Sequence, residues 1–201
     1  MLYRQASEFP DTIRRDMSRI FVEGFKQWLV YFSKDERKLA AALEHAFVLE
    51  HFTIATADGD QPAAMAACIR DGERAILLNP KELRRHLGFL RGSLAAAVLK
   101  GELENHKYPF RLSQSIGSLE FVATAPLYRG WGAASGLLRH IMETTPFDSY
   151  ILEVASSNTP AIRLYEKLGF AEFRRVEQKH KKQSGFDYYL YMRHDKIQAD
   201  E

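Results

Sequence analysis

The sequence predicts an α/β domain in which helices flank a β-sheet. Three observations predict it. In the second half, apolar β-rich runs alternate with helical runs in the order strand–helix–strand–helix–strand, the order of an α/β sheet with a crossover connection. In the first half, Phe52 to Ile69 reads as a hairpin about the turn residues Asp58-Gly59-Asp60. Between them lies the most informative stretch, residues 119–134, Leu-Glu-Phe-Val-Ala-Thr-Ala-Pro-Leu-Tyr-Arg-Gly-Trp-Gly-Ala-Ala. There an apolar strand enters a turn carrying Gly130 and Gly132, and a helix begins at once. The first N–H groups of a helix have no intrahelical partner, and the helix dipole adds partial positive charge. Such a turn cradles an anion, most simply a phosphate or pyrophosphate.

Residues 2–7 suit a short opening strand. Residues 11–32 place Ile13, Met17, Ile20, Phe21, Trp28 and Phe32 near one stripe of a helix, and residues 35–48 repeat the pattern with Leu39, Leu43, Ala46 and Phe47. After the hairpin, a turn at Asp71-Gly72 leads to Ala75-Ile76-Leu77-Leu78. Residues 80–103 read as a third helical stretch, with Pro80 in its first turn and Leu83, Leu87, Leu90, Leu94 and Val98 at helical spacing. Residues 104–115 read as loop, and 117–125 as a central strand. A helix follows from about Trp131 to Thr144, with Ala134, Leu137, Leu138 and Ile141 inward. Residues 149–155 form the next strand, and Thr159 to Leu168 a short helix stopped by Gly169. Residues 170–178 and 186–194 pair as a closing hairpin around Gln183-Ser184-Gly185.

Bulk properties narrow the function classes. The chain has 201 residues, 46% hydrophobic and 27% charged, which fits one domain, or one domain with an added helical layer, and gives apolar material for a full core. Its net charge of +2 gives little reason to expect nucleic-acid binding. The single cysteine, Cys68, excludes an intrachain disulfide and a cysteine metal cluster, and its apolar surroundings suit a small buried hydrophobe. No apolar run approaches a membrane span of about 20 residues, and the first residues lack the apolar core of a signal peptide. A cytoplasmic setting without membrane attachment is the expectation.

Two linked segments carry a resemblance. Arg129-Gly130-Trp131-Gly132-Ala133-Ala134 resembles the Arg/Gln-x-x-Gly-x-Gly/Ala turn of the GNAT N-acetyltransferase superfamily. After an intervening strand comes Asn158-Thr159-Pro160-Ala161-Ile162-Arg163-Leu164-Tyr165-Glu166-Lys167-Leu168-Gly169-Phe170. It is similar to that superfamily's Asn-x-x-Ala-x-x-Leu-Tyr-x-x-x-Gly-Phe segment. The resemblance covers roughly residues 117–194 and has no counterpart at residue level in the first half. It implies a mixed, mostly antiparallel central sheet with flanking helices, here with an extra helical insertion before the central strand. It also implies one domain over 1–201, with a divergent acceptor-side half (1–116) and an acetyl-CoA-binding half (117–194).

The resemblance further implies acetyl-CoA as co-substrate, an amine as acceptor and no metal. The coenzyme pyrophosphate would sit on the backbone N–H groups of residues 129–134. Gly130 and Gly132 let the backbone approach phosphates without a Cβ in the way, Ala134 stands where the family accepts Gly or Ala, and Arg129 offers charge and forked donors. The strand from Val122 through Ala123 and Thr124 to Ala125 would pair edge-on with the pantetheine arm. The N–H of Val122 would donate to the thioester carbonyl.

Acyl transfer from a thioester requires an amine to lose a proton from a pKa of about 10.4, donors for the oxyanion, and a proton for a thiolate of pKa about 8.5. Tyr165 is the candidate for the last role, by the family's Leu-Tyr pair; from the helix alone it reads as an amphipathic core tyrosine sharing a face with Ile162. Asn158 is a helix cap, a hydrogen-bond partner of the coenzyme arm, or both. Glu120 should emerge opposite Leu119 and Phe121, as either a proton acceptor for the amine or an ion-paired strand glutamate. His45, His51, His106 and His140 show no metal spacing and read as surface or packing residues. Trp131 packs beside the turn. Lys179-His180-Lys181-Lys182 is a solvated hairpin tip, with an acidic acceptor or a coenzyme phosphate as the minor alternative.

The leading reading is an N-acetyltransferase that moves an acetyl group to a primary amine, small-molecule or peptide/protein, by direct attack in a ternary complex. An acyl-CoA-binding sensor of the same fold with little catalysis is the alternative, and a structural protein using its basic hairpin is a weaker third. The exposed edge of the closing hairpin allows a homodimer.

Overall fold

The computed structural model describes residues 1–179 and 181–196. Among them, seven strands form one sheet in the order β1-β2-β3-β4-β5-β7-β6. The strands are β1 (Leu2–Gln5), β2 (Phe52–Ala57), β3 (Gln61–Ile69), β4 (Ile116–Thr124), β5 (Ser149–Ala155), β6 (Ala171–Glu177) and β7 (Tyr188–Asp195). All neighbours are antiparallel except β4 and β5. The sheet is therefore mixed and mostly antiparallel, as expected.

Side-chain alternation along the strands separates two cores. On one face, Phe52, Ile54, Met65, Ala67 and Ile69 pack against helices α1 (Ile13–Leu29), α2 (Glu36–Leu43), α3 (Pro80–Leu87) and α4 (Phe89–Leu99). On the other, Ala64, Ala66, Leu119, Leu152 and Val154 pack against α5 (Ala133–Thr144) and α6 (Thr159–Lys167). The run of alanines in β3 leaves room for Leu137, Leu138 and Ile141 of α5 to lie directly on the sheet.

The stretch 80–103 departs from the single helix its periodicity predicts. Gly88, at φ +82°, ends α3 and starts α4 in a new direction, a conformation glycine adopts without steric cost. The leucine stripe is split as a result. Leu83 is buried, but Leu90, Leu94 and Val98 face outward, and α4 buries Gly92, Ala95 and Leu99 instead. A Cβ on Gly92 would lie 2.4 Å from the Cα of Arg84, so the missing side chain is what lets α4 close on α3. One turn of π-helix (Lys100–Glu104) follows. Its buried Glu104 accepts hydrogen bonds from Leu78 N at 3.0 Å and Arg74 Nη1 at 3.3 Å. The segment 75–78 makes a single bridge, Ile76 to Phe47, rather than a strand. Those bonds anchor the far end of the insertion and launch residues 105–115 across the face of β5 and β7.

At the closing hairpin, a short helix α7 (Lys181–Ser184) replaces a simple turn. Lys181 pairs with Glu177 at 2.6 Å and lies 3.9 Å from Asp187, as a solvated tip would. His180 and the side chains of Lys182 and Gln183 lie outside the described residues.

Candidate active site

The site begins where the sheet opens. Strands β4 and β5 pair only over their first three residues, Ile116 with Ser149, Gly117 with Tyr150 and Ser118 with Ile151. Beyond Ser118, β4 keeps its ladder to β3 alone, through Ala123 with Met65 and Thr124 with Ala64. Its other edge, at Val122, Ala123 and Thr124, faces a fork rather than a partner strand. Within this stretch β4 spends three steps, Glu120 to Ala123, against two on β3, a β-bulge. Phe121 sits in the bulge at φ +53°, a conformation bulky residues avoid unless their surroundings impose it. The surroundings are four aromatic rings: Phe21, Phe25 and Phe52 lie 5.7, 6.3 and 6.4 Å from the Phe121 ring, and Phe47 packs on Phe21 and Phe52. The bulge corrects one expectation. Glu120 does emerge opposite Leu119, but Phe121 is turned onto the α1 face, the same side as Glu120.

The turn after β4 closes the fork. A 3-10 turn (Pro126–Tyr128) leads through Arg129 to Gly132, which is the N-cap of α5. Helices α2, α3 and α6 are capped by the side chains of Asp35, Asn79 and Asn158; α5 has no side-chain cap. The first intrahelical bond of α5 is Gly136 N to Gly132 O, so the N–H groups of Ala133, Ala134 and Ser135 have no partner within the helix. Gly130 and Gly132 stand at φ +81° and +79°, and a Cβ on either would meet nothing within 4 Å. Their glycines thus serve the left-handed backbone and leave open space in front of it. Two amides of the expected cradle are already engaged: Arg129 N donates to Pro126 O and Trp131 N to Tyr128 O, each at 3.3 Å. The Arg129 guanidinium lies 3.5 Å from Glu23 of α1. Trp131 is 73% exposed, with its ring T-shaped to Tyr128 of the turn at 6.2 Å, less packing than the sequence suggested.

Asn158 serves as the cap of α6, its Oδ1 accepting from Ala161 N at 3.3 Å. About two turns later, Tyr165 is buried in the core that also holds Ala133 and contacts Val122 and Tyr128. Burial pushes its phenol up to about 12, so it is protonated at neutral pH and has a proton to donate.

On the opposite face of the fork the structure assembles a polar cluster. Ser118 Oγ donates to Glu120 Oε1 at 3.1 Å, and Tyr108 OH meets Ser118 Oγ at 2.5 Å. Burial is the main cause holding the Glu120 carboxyl above its ordinary range. Glu153 projects from β5 beside it, and His106 Nε2 lies 3.4 Å from Glu153 Oε2. That contact with Glu153 is the main cause raising the His106 pKa, against the opposing effect of burial. The aromatic wall behind is built by Tyr108 and Phe110 on Tyr191, at 6.0 and 5.3 Å, with Phe173 5.1 Å from Phe110. Sequence reasoning singled out Glu120 but read His106 as a surface or packing residue and passed over Glu153 and Tyr108. The alternation Ser-Tyr-Ile-Leu-Glu-Val-Ala put Glu153 opposite the apolar Leu152 and Val154, a legible signal. Nothing in the order of residues brought 106–110 there.

Cys68 is half-buried, its thiol pushed up to about 12 by burial, consistent with a packing role. No group of three or more His, Cys, Asp or Glu among the described residues is placed to hold a metal ion, and no helix there is long and apolar enough to cross a membrane. Cavities of about 550 and 260 Å³ lie away from the fork, the larger between the C-terminal ends of α5 and α6 and the last strand.

This architecture has relatives. Residues 13–170 match the Acetyltransferase (GNAT) family. Among solved structures, the chain is similar to an N-acetyltransferase from Staphylococcus aureus Mu50, with a TM-score of 0.64 and 18% identity over 96% of this chain and 100% of that one. It is similar to the ribosomal-protein-S18-alanine N-acetyltransferase from Escherichia coli, with a TM-score of 0.57 and 18% identity over 100% of this chain and 96% of that one. It is also similar to a chain of the NatC complex bound to Gag peptide and CoA, with a TM-score of 0.54 and 15% identity over 98% of each. No curated protein matches its sequence. With the family matched over most of the chain, and the mixed sheet that such enzymes share, the chain belongs to the GNAT family of acetyltransferases.

Proposed function

We propose that this protein transfers an acetyl group from acetyl-CoA to a primary amine by direct attack in a ternary complex. The observation that carries the reading is the fork between β4 and β5, with an uncapped helix start at its mouth and Tyr165 and Glu120 on its two faces. The diphosphate would rest on the N–H groups of Ala133 and Ala134, with the left-handed Gly130 and Gly132 leaving space for it and Arg129 and Trp131 at the rim. Val122, Ala123 and Thr124 would pair with the amides of the pantetheine arm, as an added strand does, and Asn158 would contact the arm with the part of its amide that the cap does not use. That places the thioester at the bulge.

The amine then attacks the thioester carbonyl carbon, and the C–S bond breaks with its electron pair on sulfur. Tyr165 supplies a proton to the leaving sulfur, and Glu120 accepts a proton from nitrogen. A carboxyl raised by burial is a better base than an ordinary one. In this reading, residues 117–194 hold the coenzyme and residues 1–116 shape the acceptor side. The partner is a small-molecule amine or a peptide or protein amine; the similar enzymes include one named for ribosomal protein S18 alanine. Thiol release from acetyl-CoA, screened against amines of varied charge and size, tests the reading. Turnover with at least one class is the expected result, and coenzyme binding without release from any amine would return the sensor alternative.

A further inference from the structure

We infer that the insertion before β4 brings a second proton acceptor into the site: His106, held by Glu153, receives one of the two protons that the acceptor nitrogen must lose. The inference rests on the acetyl-transfer reading above. An ammonium acceptor carries three N–H protons and its amide product one. Two protons therefore leave nitrogen in each turnover, one reaching the coenzyme sulfur by way of Tyr165 and the other reaching water. A single carboxylate, Glu120, accepts one of them.

The geometry supplies the second acceptor. Glu120 and Glu153 are each two residues past the last pair of the parallel ladder, Ser118 with Ile151, on strands that diverge from there. Both point away from the α5 core, as their neighbours Leu119, Leu152 and Val154 point into it. Glu153 Oε2 is buried without a well-aligned hydrogen bond, and its nearest cation is His106 Nε2 at 3.4 Å. The imidazole is 29% exposed, so it can exchange a proton with solvent, and it lies close enough to Glu120 for that carboxyl to act on its charge. Its ring stands edge-on to Tyr108 at 5.3 Å, and Tyr108 joins Ser118 and Glu120 in one hydrogen-bonded chain. His106 and Glu120 thus flank the same space from the insertion and from β4.

The charged and titratable groups facing His106 are Glu153 on β5, Glu120 on β4 and Glu102 of the π-turn, with Tyr108 beside it and Tyr191 and Tyr189 of β7 behind Glu153. All three carboxylates favour the imidazolium. In the forward step, neutral His106 takes a proton from the ammonium, and the amine lone pair forms the new C–N bond as the C–S bond breaks. Glu120 takes the second nitrogen proton, Tyr165 protonates sulfur and recovers its proton through the site, and His106 returns its own to water. Glu153 is a positioning residue: it orients the imidazole and raises its basicity.

The test uses the intact protein with His106→Gln and Glu153→Gln. Imidazole NMR titration reads His106 directly, without turnover. His106 is expected to titrate above the ordinary histidine range, and its titration to move to lower pH in E153Q. In thiol release, H106Q is expected to lower kcat/KM at least tenfold and remove the acidic limb that E153Q shifts to lower pH. Both variants should keep wild-type CoA affinity by calorimetry. A His106 titration that E153Q leaves in place, a pH profile unchanged in both variants, or loss of CoA affinity in both would overturn the inference alone. Absence of thiol release from the wild type with every amine would overturn the acetyl-transfer reading with it.

Discussion

Gly132→Asp separates the two things a glycine at the head of α5 can do. The backbone there is left-handed, and the space in front is empty to 4 Å. A side chain at φ +79° costs about 1–2 kcal/mol of stability through local sterics. For a chain of this length that lowers Tm by roughly 2–8 °C. The same strain without any ligand is available at Gly59, φ +69°, at the tip of the β2–β3 turn, where a Cβ also meets nothing within 4 Å. Gly59→Asp and Gly132→Asp should therefore lose similar stability. In the proposed binding mode, only the second places a carboxylate against the diphosphate. At about 4 Å and an effective dielectric near 20, each pair of like charges costs about 4 kcal/mol, and each 1.4 kcal/mol is about tenfold in affinity. Calorimetry should find CoA binding weakened by about a hundredfold to a thousandfold in G132D and unchanged in G59D. Wild-type affinity in G132D would refute the cradle, and equal loss in both variants would show that strain, not contact, carries the effect.

Tyr165→Phe should lower turnover by about 10²–10⁴-fold with CoA affinity nearly unchanged, read by thiol release beside calorimetry; unaltered turnover removes Tyr165 from the mechanism. Glu120→Gln should stabilise the fold at neutral pH. The carboxyl is raised on folding, so the native state binds more protons than the unfolded one between the two pKa values. Stability is thus lost as pH rises through that window, and the penalty persists above it. The thermal gain of E120Q should shrink as pH falls below the ordinary carboxylate range, and a constant gain at every pH would contradict the burial argument. Gly92→Ala should destabilise by about 1–3 kcal/mol, as overpacking does, because its Cβ meets the Arg84 backbone at 2.4 Å; a denaturant midpoint equal to wild type would show that α3 and α4 part without cost.

Much of this protein was legible from residue order. Strand β5 falls on the expected residues 149–155, because the apolar run Tyr150-Ile151-Leu152 with Val154, bounded by turns, leaves little freedom. The helix start at Asn158 follows from its short polar side chain, and α5 begins at Ala133, two residues past the expected Trp131, where the left-handed Gly132 ends the turn. These are local properties, set within a few residues. Three features needed the fold. Phe121 turns onto the α1 face because a bulge and a cluster of aromatic rings, drawn from α1 and the first hairpin, outweigh strand alternation. Leu90, Leu94 and Val98 face outward because Gly88 breaks the helix and Gly92 offers α3 a closer contact than a leucine could. His106 meets Glu153 across 47 positions because Glu104, bonded to Leu78 and Arg74, fixes where the insertion leaves the helical layer. Periodicity and turn chemistry act over a handful of neighbours, whereas burial and charge pairing act on whatever the closed sheet brings together. Under the proposed function, the half that would hold the coenzyme is written mainly in the first kind of signal, and the half that would shape the acceptor side in the second.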